Sequence, residues 1–226
     1  MISFSIGQKQ ISLFPSTLPH RPVIYLHTFG KEGEAVYRAL QEIRCPAFTL
    51  AAVSGLRWDH DMTPWAIPPI SQNDTPCTGG AQEYLGLLVG EILPRVEQNL
   101  SSAPSWRGIA GYSLGGLFAV YSLYQTDLFS RAASVSGSLW FPGIKEYIFS
   151  HEMKAKPRRL YFSLGNKECK TRNPYLKTVQ QNTQEIYEFY RSQGVDALFQ
   201  LNPGNHFVHA PERIAAGIGW MLEGEH

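Results

Sequence analysis

Charge is scarce in this sequence. Asp, Glu, Lys and Arg make up 17% of its 226 residues, against about 25% in an average soluble domain. The two signs nearly cancel, 20 basic against 19 acidic, leaving a formal charge of +1. Nucleic acids and anionic membranes select strongly basic faces, so neither partner has an electrostatic case here. Cysteine is sparse as well: Cys45, Cys77 and Cys169 are far apart and odd in number. A disulfide framework uses an even set and a structural zinc site uses close pairs, so both are excluded. No run of 18 apolar residues is available to span a bilayer. The first 14 residues alternate polar and apolar in place of a basic stretch before an apolar one, so no secretory signal is expected. These absences point to a cytoplasmic protein. No repeat, low-complexity tract or charged linker divides the chain, and residues 1–226 are expected to form one domain.

What is present is apolar material, 43% hydrophobic with 12% aromatic, enough for a full core at this length. Residues 1–6 and 10–14 alternate around Gly7, the pattern of a hairpin. Short, continuously apolar runs follow at 23–27, 48–53, 107–110, 132–136, 160–164 and 197–201. Helical periodicity separates or follows them at 34–43, 83–100, 114–124, 144–153, 175–192 and 211–223. Pro94 should kink or break the helix over 83–100. Buried strands alternating with helices predict an α/β fold with a mostly parallel central sheet covered on both faces. In such sheets the reactive groups gather on loops that leave the carboxyl ends of strands.

One of those loops reads Gly111-Tyr112-Ser113-Leu114-Gly115-Gly116. A serine in a tight strand-to-helix turn needs small neighbours two residues to either side, and Gly111 and Gly115 supply them. G-x-S-x-G alone arises by chance in a chain like this with a probability of roughly one in seven, so its setting between strand and helix carries the weight. The turn would put the Ser113 hydroxyl at a helix N-terminus, where the Leu114 N–H and the helix dipole favour an oxyanion. A second donor is expected from Thr28 or Phe29, after the strand 23–27. A serine nucleophile needs a base, usually histidine oriented by a carboxylate, in the chain order serine, acid, histidine. Of seven histidines only His151, His206, His209 and His226 follow Ser113. His206 sits directly after the strand 197–201, the loop a catalytic histidine should occupy, with His209 as fallback. Glu168 is the only carboxylate on the loop after 160–164. His27, at a strand end, reads as a structural histidine.

The loop from 54 to 79 carries Arg57-Trp58-Asp59-His60-Asp61 on the same edge. Alternate residues of an extended chain diverge, so Asp59 and His60 should not share a metal ion. Asp61 is expected to shape the pocket wall, and Trp58, Trp65 and Trp140 to line a cleft or fill core.

Taken together, Arg57 to Pro64, Gly79-Gly80-Ala81, Ile92-Leu93-Pro94, Gly111 to Phe118, Leu164 to Glu168, Arg172-Asn173-Pro174 and Gly204 to Phe207 make the sequence resemble an esterase family of α/β-hydrolases. That family includes enterochelin-type siderophore esterases and esterase D relatives. The resemblance implies a hydrolase without a separate lid domain that cleaves carboxylic esters through an acyl-enzyme. Ser113 would be the nucleophile, His206 the base and Glu168 the orienting acid, with no cofactor or metal. The partner implied is a small-molecule ester, and the oligomeric state is left open. Arg57, Lys170 and Arg172 are expected on the rim, where an anionic siderophore would need them. The pocket candidates are thus Arg57, Trp58, Asp61, Trp140 and Arg172. An acyltransferase or thioesterase on the same fold is an alternative, as is a non-catalytic binding protein that keeps the pocket.

Overall fold

The computed structural model describes residues 1–224, so His226 lies outside the described residues. An antiparallel hairpin, β1 (Ile2–Ile6) and β2 (Lys9–Phe14), opens the chain. It is followed by β3 (Val23–His27), α1 (Gly33–Glu42), β4 (Thr49–Ser54) and the single turn α2 (Trp58–Asp61). Two short strands, β5 (Ala66–Ile67) and β6 (Cys77–Thr78), pair with each other apart from the main sheet. Next come α3 (Ala81–Leu87), α4 (Leu93–Glu97), β7 (Arg107–Tyr112), α5 (Leu114–Ser122) and β8 (Arg131–Val135). The chain continues through α6 (Ile144–Ser150), β9 (Arg159–Gly165), α7 (Val179–Ser192), β10 (Asp196–Asn202) and α8 (Ala210–Leu222).

The main sheet has eight strands in the order β1-β2-β4-β3-β7-β8-β9-β10. From β4 to β10 every pairing is parallel, and the hairpin adds two antiparallel strands at one edge. This is the α/β-hydrolase-like architecture expected from the rhythm of the sequence. Successive strand residues feed opposite faces: Val23 and Tyr25 join one apolar cluster, with α3, α5 and α7, while Ile24 and Leu26 join the other, with α1 and α8. A strand buried on both faces has no polar side to show, which is why these runs read as continuously apolar. Among the described residues no helix is long and apolar enough to cross a membrane.

The stretch in which Pro94 predicts a kink or break is three pieces, with a π-helical segment over Leu88–Ile92 between α3 and α4. Its closing bond runs from the Leu93 N–H to the Leu88 carbonyl. Pro94 cannot donate to Gly90 and its ring would strike that carbonyl, so a widened turn just upstream relieves the clash.

The site follows from the strand order. After β3 the chain turns to one side, through α1 to β4. After β7 it turns to the other, through α5 to β8. The loops leaving β3 and β7 therefore diverge and leave a crevice over the carboxyl ends of two adjacent strands.

Candidate active site

Ser113, directly after β7, is in a conformation that L-residues avoid, φ 57° and ψ −122°. The fold holds it there from several directions. Its N–H donates to the Val135 carbonyl at 3.1 Å, and its carbonyl accepts from the N–H groups of Gly116, Leu117 and Ser138 at 3.0, 3.2 and 3.0 Å. A Cβ at Gly111 would enter the backbone of Gly115, so the strand and helix can approach this closely only without one. Strain kept in place by surrounding bonds is typical of sites that do chemistry.

His206, on the loop after β10, has Nε2 at 3.0 Å from Ser113 Oγ and Nδ1 at 2.8 Å from Glu168 Oε2. A carboxylate only accepts hydrogen bonds, so the proton belongs on Nδ1, leaving Nε2 to accept from the serine hydroxyl. Glu168, on the loop after β9, is nearly buried, its side chain 5% exposed. Burial alone would raise its pKa. Hydrogen bonds from His206, the Gly165 N–H and Ser136 outweigh that and hold it below the ordinary carboxylate value. The carboxylate therefore stays ionised beside the imidazole.

Three residues that sequence reasoning missed complete this arrangement. Ser136 donates to Glu168 Oε1 at 2.8 Å. Arg213, on α8 and 4% exposed, lies 3.4 Å from the same oxygen and donates to the carbonyls of Asn205 at 3.0 Å and Pro203 at 2.8 Å. It thus fixes both the carboxylate and the loop that carries His206. Tyr112 adds a hydrogen bond from its hydroxyl to the His206 carbonyl at 2.6 Å. Arg213 did leave a trace in the sequence: it shares the buried stripe of α8 with Gly217, Ile214 and Ile218, and a charge on such a stripe needs a buried partner.

Of the two expected oxyanion donors after β3, Thr28 has its N–H already engaged. Its N–H extends the parallel ladder by donating to the Val53 carbonyl at 3.0 Å. The Phe29 N–H, one residue on, has no acceptor among the described residues, and neither does that of Leu114.

Two clefts meet at Ser113. The larger, about 650 Å³, is bordered by Trp58, Trp140, Asp59, Asp74 and Lys167. The smaller, about 350 Å³, is bordered by Phe29, Trp58, Tyr112, Pro211 and Ile214, and His206 and Phe207 border both. Trp58 and Trp140 thus border a cleft, one of the two fates the sequence left open. Trp65 instead packs on Phe141 and Tyr147 and donates to the Pro142 carbonyl at 2.9 Å.

Arg57, Asp61 and Arg172 border neither cleft. Asp61 is fully buried and is claimed by Lys9 of β2 and by Arg57, whose guanidinium lies 3.1 Å away. A buried carboxylate must be compensated, so it draws both cations to the back of α2, away from Ser113. Arg172 and Lys170 are exposed outside the clefts. The segment around Asp59 is a helical turn, not the extended chain expected, yet its side chains still diverge: Asp59 accepts from Thr75 at 2.6 Å, and His60 Nδ1 meets Thr78 Oγ1 at 2.6 Å. His209 caps α8 in a left-handed conformation, and His151 stacks on Tyr147. His27 is wholly buried, edge-on to Phe118 at 5.0 Å and Tyr84 at 5.5 Å. Neither of its ring nitrogens makes a well-formed hydrogen bond. Burial pushes its pKa down to about 4, offset in part by the Ala110 carbonyl.

Comparison with known proteins agrees with this architecture. The chain is similar to the siderophore hydrolase EstA from Aspergillus nidulans, at 20% identity and a TM-score of 0.71, over 95% of this chain and 89% of that one. It is also similar to an IroE-like serine hydrolase from Shewanella oneidensis, at 19% identity and a TM-score of 0.76, over 95% and 75% of the two chains. In sequence it is 24% identical over 180 residues to the uncharacterized protein YbbA of Bacillus subtilis (strain 168), over 76% of this chain and 72% of that protein. Residues 28–206 match the family described as "Putative esterase". The chain belongs to that esterase family and is a carboxylic ester hydrolase.

Proposed function

We propose that this protein cleaves esters through an acyl-enzyme formed on Ser113. The observation that carries the reading is the unbroken line Ser113 Oγ, His206, Glu168, with contacts of 3.0 and 2.8 Å. Ser113 Oγ attacks the ester carbonyl carbon while its proton passes to His206 Nε2. The tetrahedral oxyanion is held by the N–H groups of Leu114 and Phe29 at the N-terminus of α5. Collapse expels the alkoxide, which takes the proton from Nε2 and leaves as the alcohol. Water, deprotonated by the same nitrogen, then releases the acid and restores the serine. Glu168 keeps the Nδ1 proton in place and stabilises the transient imidazolium.

The proposed steps draw on side chains and backbone N–H groups of one domain, which we place in the cytoplasm, where its three cysteines, none of them in a disulfide, would stay reduced. The test is turnover of short p-nitrophenyl esters by wild-type and Ser113→Ala proteins, with fluorophosphonate labelling in parallel. The wild type should turn over and label at Ser113, and the variant should lose kcat by about 10⁴ or more. A variant with near wild-type turnover would overturn the proposal.

A further inference from the structure

The charges and exposed rings around Ser113 restrict what it can cleave, provided the esterase reading above holds. The charged side chains of the larger cleft are Asp59, Asp74, Lys167 and Glu168. Glu168 is neutralised within the fold by Arg213. That leaves two carboxylates against one lysine, and no arginine faces the cleft. Arg57 is turned to Asp61 and Glu83, at 3.1 and 3.3 Å. The smaller cleft holds one carboxylate, Glu32, which accepts from the Gly30 N–H at 2.8 Å, and no cation.

An independent observation concerns Phe29 and Phe207. They are 71% and 87% exposed, more so than any other large apolar side chain of the described residues except Met1. Two large rings left in water at the border of one cleft mark it as a place for an apolar group. Phe29 stands edge-on to Trp58 at 5.5 Å, and Phe207 edge-on to His206 at 5.3 Å, and both rings border the smaller cleft together with Ser113. Between them the smaller cleft has room for a phenyl ring or a short branched alkyl group.

We infer that the substrate is an uncharged ester, with a compact apolar group in the smaller cleft and a bulkier hydrogen-bonding group in the larger one. A polyanionic ester, such as a ferric catecholate, is selected against. It would bring several negative charges toward Asp59 and Asp74 with Lys167 alone to receive them.

The test uses two sets of three esters. One set is phenyl butyrate with the acyl chain ending in methyl, carboxylate or trimethylammonium. The other carries an uncharged, anionic or cationic substituent on the phenyl ring. At low ionic strength the anionic members should have kcat/KM about tenfold or more below the uncharged ones, and 0.5 M salt should narrow the gap. The double variant Asp59→Asn with Asp74→Asn should narrow it in the same sense. Phe207→Ala should raise KM for phenyl butyrate several-fold and for ethyl butyrate much less. An anionic ester turned over as well as the uncharged one, by protein that labels at Ser113, would overturn this inference and leave the esterase reading intact. An unchanged phenyl butyrate KM in Phe207→Ala would overturn the placing of the apolar group. Protein that neither labels nor turns over any member takes both readings down together.

Discussion

Exchanging Glu168 for glutamine changes one atom, and the structure says which way the amide must face. Oε1 is surrounded by donors: Ser136 Oγ at 2.8 Å, the Gly165 N–H at 2.6 Å and Arg213 Nη1 at 3.4 Å. The amide oxygen has to take that place, since an NH₂ there would face three donors. The NH₂ is then directed at His206 Nδ1, which sits 2.8 Å from Oε2. Two N–H groups cannot face each other, so the ring shifts its hydrogen to Nε2, and the nitrogen that should take the serine proton already carries one. Wrong-tautomer variants of this kind lose about 10⁴ in rate, about 5.4 kcal/mol of transition-state stabilisation. Glu168→Ala removes charge and orientation but leaves Nδ1–H free to bond water, so its loss should be no greater than glutamine's, about 10⁴. Both variants strip the buried Arg213 of its carboxylate, at a cost of about 3 kcal/mol in stability. Rates should therefore be taken well below the unfolding transition and corrected for the folded fraction by circular dichroism. The reasoning fails if glutamine retains activity within tenfold of the wild type, or if alanine is the slower of the two.

Other expectations follow from the same contacts. Arg213→Gln should lower kcat by about 100-fold with little change in KM, because the guanidinium holds the His206 loop through the Pro203 and Asn205 carbonyls and does not face the clefts; Arg213→Lys should recover part of the loss, and a rise confined to KM would contradict a positioning role. His27 is neutral in the fold, with its pKa at about 4 against 6.5 when unfolded. The unfolded chain therefore binds more protons in that window, and stability is full above pH 6.5 and falls as the pH drops toward 4. Urea unfolding at pH 7.5 and 4.5 should show the wild type losing about 2.5 kcal/mol that His27→Leu does not lose; parallel losses would refute this. Gly111→Ala, whose Cβ would enter the Gly115 backbone, should cost about 2–3 kcal/mol in the same assay and abolish turnover; a silent substitution would mean that the turn can open.

The parts of this molecule that could be read from sequence are those set by short-range patterns. Continuous apolar runs marked the parallel strands because both faces are buried, and the glycines around Ser113 marked a turn that tolerates no Cβ. His206 and Glu168 could be singled out because a parallel sheet delivers its loops to one edge, and each of those loops held few candidates. Asp61 and Arg57 were misjudged for the opposite reason. Their fate depends on Lys9, a residue 52 positions from Asp61 that only the pairing of β2 with β4 brings near. The engagement of the Thr28 N–H likewise depends on a ladder bond to Val53 that no local pattern encodes. The π-helical segment before Pro94 follows from a missing N–H, but periodicity alone does not report how the chain absorbs it.

Arg213 reaches back from α8 to the loops after β9 and β10, and this gives synthesis of the chain an order. A ribosome completes the strained serine turn at residue 113 long before it reaches the last helix. Glu168 emerges later, and His206 later still, on a loop whose carbonyls have no guanidinium to hold them until α8 docks. A chain stopped anywhere short of α8 therefore displays the serine without a registered proton acceptor. On the proposed mechanism a registered triad therefore waits on the packing of the final helix, whose Arg213 holds the Asn205 and Pro203 carbonyls.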